Sequence, residues 1–303
     1  MARIGITLGD VAGIGPEIVI KALDRIPREL NNLTIIGPLS ILRATQMMLS
    51  RTFTLPRVVD TGNFEFEYGK VQQHAGEAAL AALVKGIEFI KNGAIDALVT
   101  CPVSKQAVQM SFPSFRGHTE YLAQALGVTD VLMIAHSPYA SFAFVTTHLS
   151  LSSVSESITA EQVYKKLRLY NDFLAFYHSR PVKIGVTALN PHAEEFSEGE
   201  EKFIAQAIAG ARNEGIDACG PFPADTIHLN IQNFDGFLVQ YHDQGMIPAK
   251  FLASGEGVNI TWGLPFVRTS PLHGTAFDIA GKDKADPSSM LAAIRMAEKL
   301  VRN

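Results

Sequence analysis

Two cysteines in 303 residues, Cys101 and Cys219, are too few for a disulfide framework, and a reducing cytoplasm is the expected setting. No apolar run approaches the roughly 20 residues that a bilayer span requires. Met1-Ala2-Arg3-Ile4-Gly5 passes straight into a strand pattern, without the apolar stretch of a signal peptide. Basic residues are not in excess either. Lys+Arg 26 against Asp+Glu 30 gives a formal charge of −4, and no basic stripe is visible, which argues against nucleic acid or an anionic membrane as a partner. Repeats, low-complexity segments and linkers are lacking, so any domain boundary is a matter of topology. Gly13-Ile14-Gly15 also lacks the spacing of a dinucleotide fingerprint. What the chain does have is 47% hydrophobic content, enough to build a substantial core in one large domain or two medium ones.

Strand and helix patterns alternate from end to end, which predicts an α/β fold with a largely parallel sheet. Residues 4–8 read as a strand, and the Gly-rich turn after it leads into a helix with Pro16 and Glu17 in its first turn. In residues 75–91, Leu80, Leu83, Val84, Ile87 and Ile90 form one helical stripe, stopped by Asn92-Gly93. Residues 97–100 are a strand that runs into Cys101-Pro102-Val103-Ser104-Lys105; Cys101 reads as a catalytic thiol or, more commonly for a free cysteine, as a small buried hydrophobe. Thr119 is the expected N-cap of the helix opening at GHTE, and Thr159 with Gln162 forms a capping-box pattern. A helix over 200–214 carries acids in its first turn, where the dipole favours them.

Residues 237–250, FLVQYHDQGMIPAK, stand apart. An apolar run ends abruptly in Tyr241-His242-Asp243-Gln244-Gly245, the look of a buried strand delivering polar groups to its carboxyl end, where open α/β sheets bind ligands. The pattern recurs: His148 ends VTTHLS and His192 ends ALNPHA. Each histidine alone reads as a strand cap. Three in one structural position point to a metal or catalytic centre, since parallel strands share an edge and neutral imidazoles suit Zn²⁺ or a similar divalent ion.

A second group is built for an anion. Lys250, Asn259 in GVNITWG and Arg268 in PFVRTSP sit among Gly, Pro and apolar residues, and His118 and Thr119 add donors at a helix start. Asp225 in GPFPADT is the carboxylate placed nearest the site, with a turn role as its competing reading. A third feature is His273-Gly274-Thr275-Ala276-Phe277-Asp278, whose small residues let a flat ligand approach the backbone. Asp278 there suits ribose hydroxyls and would repel a 2′-phosphate.

Together the stretches ITLGDVAGIGPE, TCPVSK, GHTEYLA, TTHLSL, LNPHA, GPFPADT, YHDQGMIPAK and GVNITWGLPFVRTSPLHGTAFDIAGK resemble the 4-hydroxythreonine-4-phosphate dehydrogenase family of pyridoxal phosphate biosynthesis. They follow the family's order over nearly the whole chain. The first turn and the HGTAFDIAG loop also look like those of isopropylmalate and isocitrate dehydrogenases. The resemblance implies a two-domain, isopropylmalate dehydrogenase-like α/β/α fold with a cleft between the domains. The expected division is residues 1–125 plus 270–303 on the nucleotide side, and 126–269 for metal, substrate and dimerisation. It implies His148, His192 and His242 as ligands of one divalent metal, Zn²⁺ foremost, with Mg²⁺ or Co²⁺ as alternatives. It makes His118, Thr119, Lys250, Asn259 and Arg268 the substrate contacts, and gives the adenosine half of NAD to His273, Gly274, Thr275, Ala276 and Asp278, with NAD expected over NADP. The family is homodimeric with its site at the subunit interface, so the metal ligands need not all come from one chain.

The implied reaction is NAD⁺ oxidation of the secondary alcohol of 4-phosphooxy-L-threonine, followed by decarboxylation to 3-amino-2-oxopropyl phosphate. Asp225 and Lys105 are the candidate bases. Related enzymes act on 4-phospho-D-threonate or 4-phospho-D-erythronate, where a hydroxyl replaces the amino group. Related folds include phosphate acyltransferases, which need neither NAD nor metal; the three histidines and Asp278 speak against that class. The chain departs from the family after LNPHA, where Glu194-Glu195-Phe196-Ser197-Glu198-Gly199 replaces a glycine-rich segment, and at Leu8 and Val11, where prolines are usual.

Overall fold

The computed structural model describes residues 2–27 and 30–302. The elements alternate as β1 (Ile4–Thr7), α1 (Gly15–Arg25), β2 (Leu33–Ile36), α2 (Leu39–Met48), β3 (Arg57–Val59), α3 (Gln73–Lys91), β4 (Ala97–Thr100), α4 (Lys105–Gln109) and α5 (His118–Leu126). They continue as β5 (Leu132–His136), β6 (Ser141–Phe144), α6 (Leu151–Ser157), α7 (Ala160–His178), β7 (Lys183–Thr187), α8 (Glu200–Asn213), β8 (Asp217–Phe222), β9 (Gly236–Val239), α9 (His242–Ala253) and β10 (Val258–Trp262). The chain closes with β11 (Val267–Pro271) and α10 (Ser288–Arg302). Contacts divide it into two units, Met1–Thr129 with Leu264–Arg302, and Asp130–Gly263.

The first unit carries five strands in the order β3-β2-β1-β4-β11, all parallel. β1, β2 and β4 are buried along their whole length, the continuous apolar signature of parallel strands covered on both faces. α3 packs Ala79, Ala82, Leu83 and Ile87 into a core with Leu98, Val108, Phe115 and Leu122. Val84, expected on that stripe, is 47% exposed, because small residues let the helix settle on its Ala75-Ala78-Ala82 face. Cys101 is fully buried, and burial drives its thiol pKa up, so it behaves as a core hydrophobe.

The second unit orders its strands β10-β5-β6-β9-β7-β8. β10, β5 and β6 pair antiparallel, whereas β6-β9, β9-β7 and β7-β8 are parallel. Its core includes Phe142, Phe144, Tyr170, Phe173 and Phe237, each almost fully buried. Thr159 caps α7 as expected, its side chain accepting from Gln162 N at 3.2 Å. α5 does not use Thr119 as its cap. It starts at His118 with Gly117 before it at φ 151, a backbone state open to glycine. Among the described residues, no helix is long and apolar enough to cross a membrane.

Candidate active site

β6, β9 and β7 lie side by side and parallel, so the segments leaving their carboxyl ends emerge along one edge of the second unit. Those segments carry His148, His242 and His192. His242 opens α9 directly after β9, with Phe144 stacked near its ring at 6.1 Å. His148 lies beyond β6, whose ladder continues through Val145 N to Val239 O (2.9 Å) and Thr146 N to Gln240 O (3.1 Å). The rings of His148 and His242 are 6.0 Å apart, centroid to centroid. His192 sits on the turn after β7 in the left-handed region, φ 55, with its ring exposed. Its Nδ1 is 3.0 Å from Glu195 Oε2, and Nδ1 of His242 is 2.7 Å from Asp243 Oδ1. Carboxylates on both Nδ1 atoms favour the tautomer that leaves Nε2 for a ligand. Among the described residues, no three His, Cys, Asp or Glu side chains are gathered closely enough to hold an ion. One chain thus pairs two of the three histidines, and His192 stands separately on the same edge.

A buried polar frame joins the three strand ends. Gln244 Oε1 accepts from Thr187 Oγ1 (2.7 Å) and from Gln240 N (2.8 Å), while its Nε2 donates to Ala188 O (2.8 Å). Gln240 is fully buried; its side-chain Nε2 donates to Thr187 O (2.7 Å), and its backbone carbonyl accepts from Thr146 Oγ1 (2.7 Å). Neither glutamine was singled out from sequence, although both flank His242. Lys250 is exposed on α9, two turns beyond His242, and Asn259 is half-buried on β10 with Oδ1 buried and, among the described residues, without a hydrogen-bond partner. Asp225 is exposed, in the 3₁₀ segment Ala224–Asn233.

In the first unit, a cationic cluster forms around the start of α5. Arg268, 3% exposed on β11, donates from Nη2 to Thr100 Oγ1 at 2.7 Å. Burial lowers its pKa to about 10, so it stays charged at neutral pH. His118 is pushed down to about 3, by burial first and then by the positive charges of Arg268 and Lys105, against the opposing pull of Glu120. A Cβ at Gly117 would lie 2.7 Å from Glu120 Oε2 and 3.3 Å from Lys105 Cε, so these side chains crowd that glycine. Neutral His118, Lys105, Glu120 and Arg268 therefore form one group, with Thr119 beside it. Glu120 was missed in sequence because a carboxylate is not expected among anion-binding groups; here it offsets the concentrated positive charge.

The His273–Asp278 loop belongs to the same unit. Ile14 N donates to Thr275 O at 3.0 Å, and a Cβ on Gly13 would meet that oxygen at 2.8 Å, so glycine is required there. Ala276 takes φ 44, and Gly274 is exposed with open space at its Cβ position. His273 Nδ1 lies 3.0 Å from Gly274 O, and Asp278 is exposed. On the turn's other side, Asp10 N donates to Pro102 O (2.9 Å), and the Asp10 carboxylate, 1% exposed, accepts from Ala12 N (2.9 Å). The Gly-rich turn thus joins the loop ahead of Lys105 to the His273–Asp278 loop.

Comparison with known proteins shows what the chain is similar to. A 4-hydroxythreonine-4-phosphate dehydrogenase of Sulfurihydrogenibium sp. is 35% identical over 319 residues, covering 100% of this chain and 99% of that protein. A D-threonate 4-phosphate dehydrogenase of Salmonella typhimurium is 35% identical over 321 residues, covering 98% of each. The crystal structure of 4-hydroxythreonine-4-phosphate dehydrogenase from Klebsiella pneumoniae matches with a TM-score of 0.85 at 31% identity, over 99% of this chain and 100% of that one. Isocitrate dehydrogenase from Methylococcus capsulatus shares the fold alone, with a TM-score of 0.55 at 17% identity over 100% of this chain and 88% of its own. The model of the family described as pyridoxal phosphate biosynthetic protein PdxA matches residues 17–297, and the chain belongs to that family.

Proposed function

We propose that this protein oxidises the secondary alcohol of 4-phosphooxy-L-threonine with NAD⁺ and decarboxylates the β-keto acid product to 3-amino-2-oxopropyl phosphate. The observation that carries the reading is the shared strand edge bearing His148, His192 and His242, in a chain of the PdxA family. The donor set fits a divalent cation: imidazoles with carboxylates on Nδ1 of His192 and His242, and the His148 and His242 rings already adjacent. When bound, the ion, Zn²⁺ foremost, supplies a Lewis acid for the alcohol and the enolate, and NAD⁺ supplies the hydride acceptor.

The chain's own residues position the substrate. We assign its anionic groups to His118, Thr119, Lys250, Asn259 and Arg268. Arg268 brings a planar fork suited to phosphate, and neutral His118 donates without adding charge. Lys105 and Asp225 are the side chains we assign to proton handling. Residues His273 to Ala276, with Asp278 toward the ribose, take the adenosine half of NAD. Dimerisation is supported by Ile247 (70% exposed) and Phe251 (86%) on α9, the helix that His242 opens, apolar side chains that need a cover. The protein works as a cytoplasmic homodimer in this reading.

A second substrate class, 4-phospho-D-threonate or 4-phospho-D-erythronate, is favoured by the equal similarity to a D-threonate 4-phosphate dehydrogenase. Metal removal tests the mechanism common to both. Chelation should abolish NADH formation and Zn²⁺ or Co²⁺ should restore it; full activity in metal-free protein would contradict the reading.

A further inference from the structure

Two neighbouring acids at the start of α8 do more than complement a helix dipole. Glu201 is fully buried and Glu200 is 8% exposed. Glu201 Oε1 accepts from Leu189 N (3.0 Å) and Asn190 N (2.8 Å), the two amides immediately before Pro191-His192. The Asn190 side-chain amide donates to Glu200 Oε2 (3.2 Å) and Glu201 Oε2 (3.1 Å). Glu200 Oε1 accepts from Ser155 Oγ on α6, the helix that follows His148. Glu198 N also donates to Glu200 Oε2, at 3.1 Å. Two side chains on one helix therefore grip the turn that carries His192 and the helix attached to the His148 segment. They also brace the chain on either side of the acidic loop 194–199.

We infer that the Glu200–Glu201 pair is a positioning element for the metal centre, fixing the His192 turn and the His148 segment through buried hydrogen bonds rather than touching metal or substrate. The inference rests on the three-histidine reading proposed above. Its physical basis is that ligands held by a fully satisfied buried network need not be ordered when the ion binds. Asn190 and Glu201 are both held by two or more bonds, so loss of either frees the turn. Hydrogen bonds to charged, buried acceptors are also the costly ones to lose.

The test uses the full-length protein loaded with Co²⁺. Affinity is measured by chelator competition and geometry by the Co²⁺ d–d absorption; NAD⁺ affinity by calorimetry reports on the first unit. Glu201→Ala should weaken Co²⁺ binding about 10–100-fold and alter the d–d spectrum, with NAD⁺ affinity unchanged. Glu201→Gln keeps an oxygen for the Leu189 and Asn190 amides and should recover most of the affinity. If Glu201→Ala does not fold, Asn190→Ala, which leaves both backbone amides in place, is read the same way. Wild-type Co²⁺ affinity and spectrum in the folded variant would overturn the inference, provided that His242→Ala loses the ion. If His242→Ala binds Co²⁺ as well as wild type, or wild type binds none, the three-histidine reading fails and takes this inference with it.

Discussion

Gln244 reaches from the first turn of α9 to the end of β7, where its Oε1 accepts the Thr187 hydroxyl at 2.7 Å. The same side chain bonds Gln240 N and Ala188 O, so one residue ties β9 to β7 where His242 and His192 leave the sheet. Gln244→Leu keeps much of the volume and strands these partners in a region where the neighbouring Gln240 is fully buried. It should cost about 2–4 kcal/mol, read as a lower denaturant midpoint with little change in slope. Wild-type stability would mean that the frame does not hold the edge.

Arg268, assigned above to the substrate's anion, is buried and bonded to Thr100. Arg268→Lys retains the charge and loses the fork. It should lower kcat/KM for the phosphorylated substrate about tenfold or more, mostly through KM, with the NAD⁺ dissociation constant unchanged. An unchanged KM would place the substrate's anion elsewhere.

Asp278 faces solvent at the end of the loop proposed for the nucleotide. Asp278→Lys should shift preference from NAD⁺ toward NADP⁺ by about tenfold, ~1.4 kcal/mol, in competitive binding. The same preference in both proteins would mean the ribose lies away from this loop.

Asp10 titrates in an unusual range: burial raises its carboxyl pKa to about 6, against the opposing bonds from Ala12, Ser104 and Gly13 amides. A carboxyl whose folded pKa lies above its unfolded value, about 3.9, favours folding when protonated. That contribution is complete below about pH 4 and lost as pH rises through about 6. Relative to Asp10→Asn, wild type should therefore lose about 2 kcal/mol of unfolding free energy between pH 4 and pH 7. A stability difference independent of pH would show that Asp10 does not titrate in this window.

Much of the candidate site was legible in sequence because its signal is local. An apolar run broken by histidine marks a strand end, and β6, β9 and β7 are parallel neighbours, so His148, His242 and His192 share an edge. The Gly13 turn was legible for the same reason, since a glycine-rich stretch after a strand announces close backbone approach. Gln244, Glu200 and Glu201 were not. In a helix's first turn such residues look like solvated or dipole-complementing groups, and only tertiary neighbours make them buried acceptors. Thr119 misled because a cap pattern says nothing of Gly117, whose φ of 151 moves the helix start. In the proposed homodimer a second chain would complete the histidine set, and no local pattern encodes that.

The most direct measurement is the rate of NADH formation by purified, Zn²⁺- or Co²⁺-loaded protein. The competing substrates are 4-phosphooxy-L-threonine, 4-phospho-D-threonate and 4-phospho-D-erythronate. The expected result is the highest kcat/KM with 4-phosphooxy-L-threonine, with 3-amino-2-oxopropyl phosphate as product. A higher kcat/KM with either sugar-acid phosphate, or no NADH from any of the three, would contradict the account.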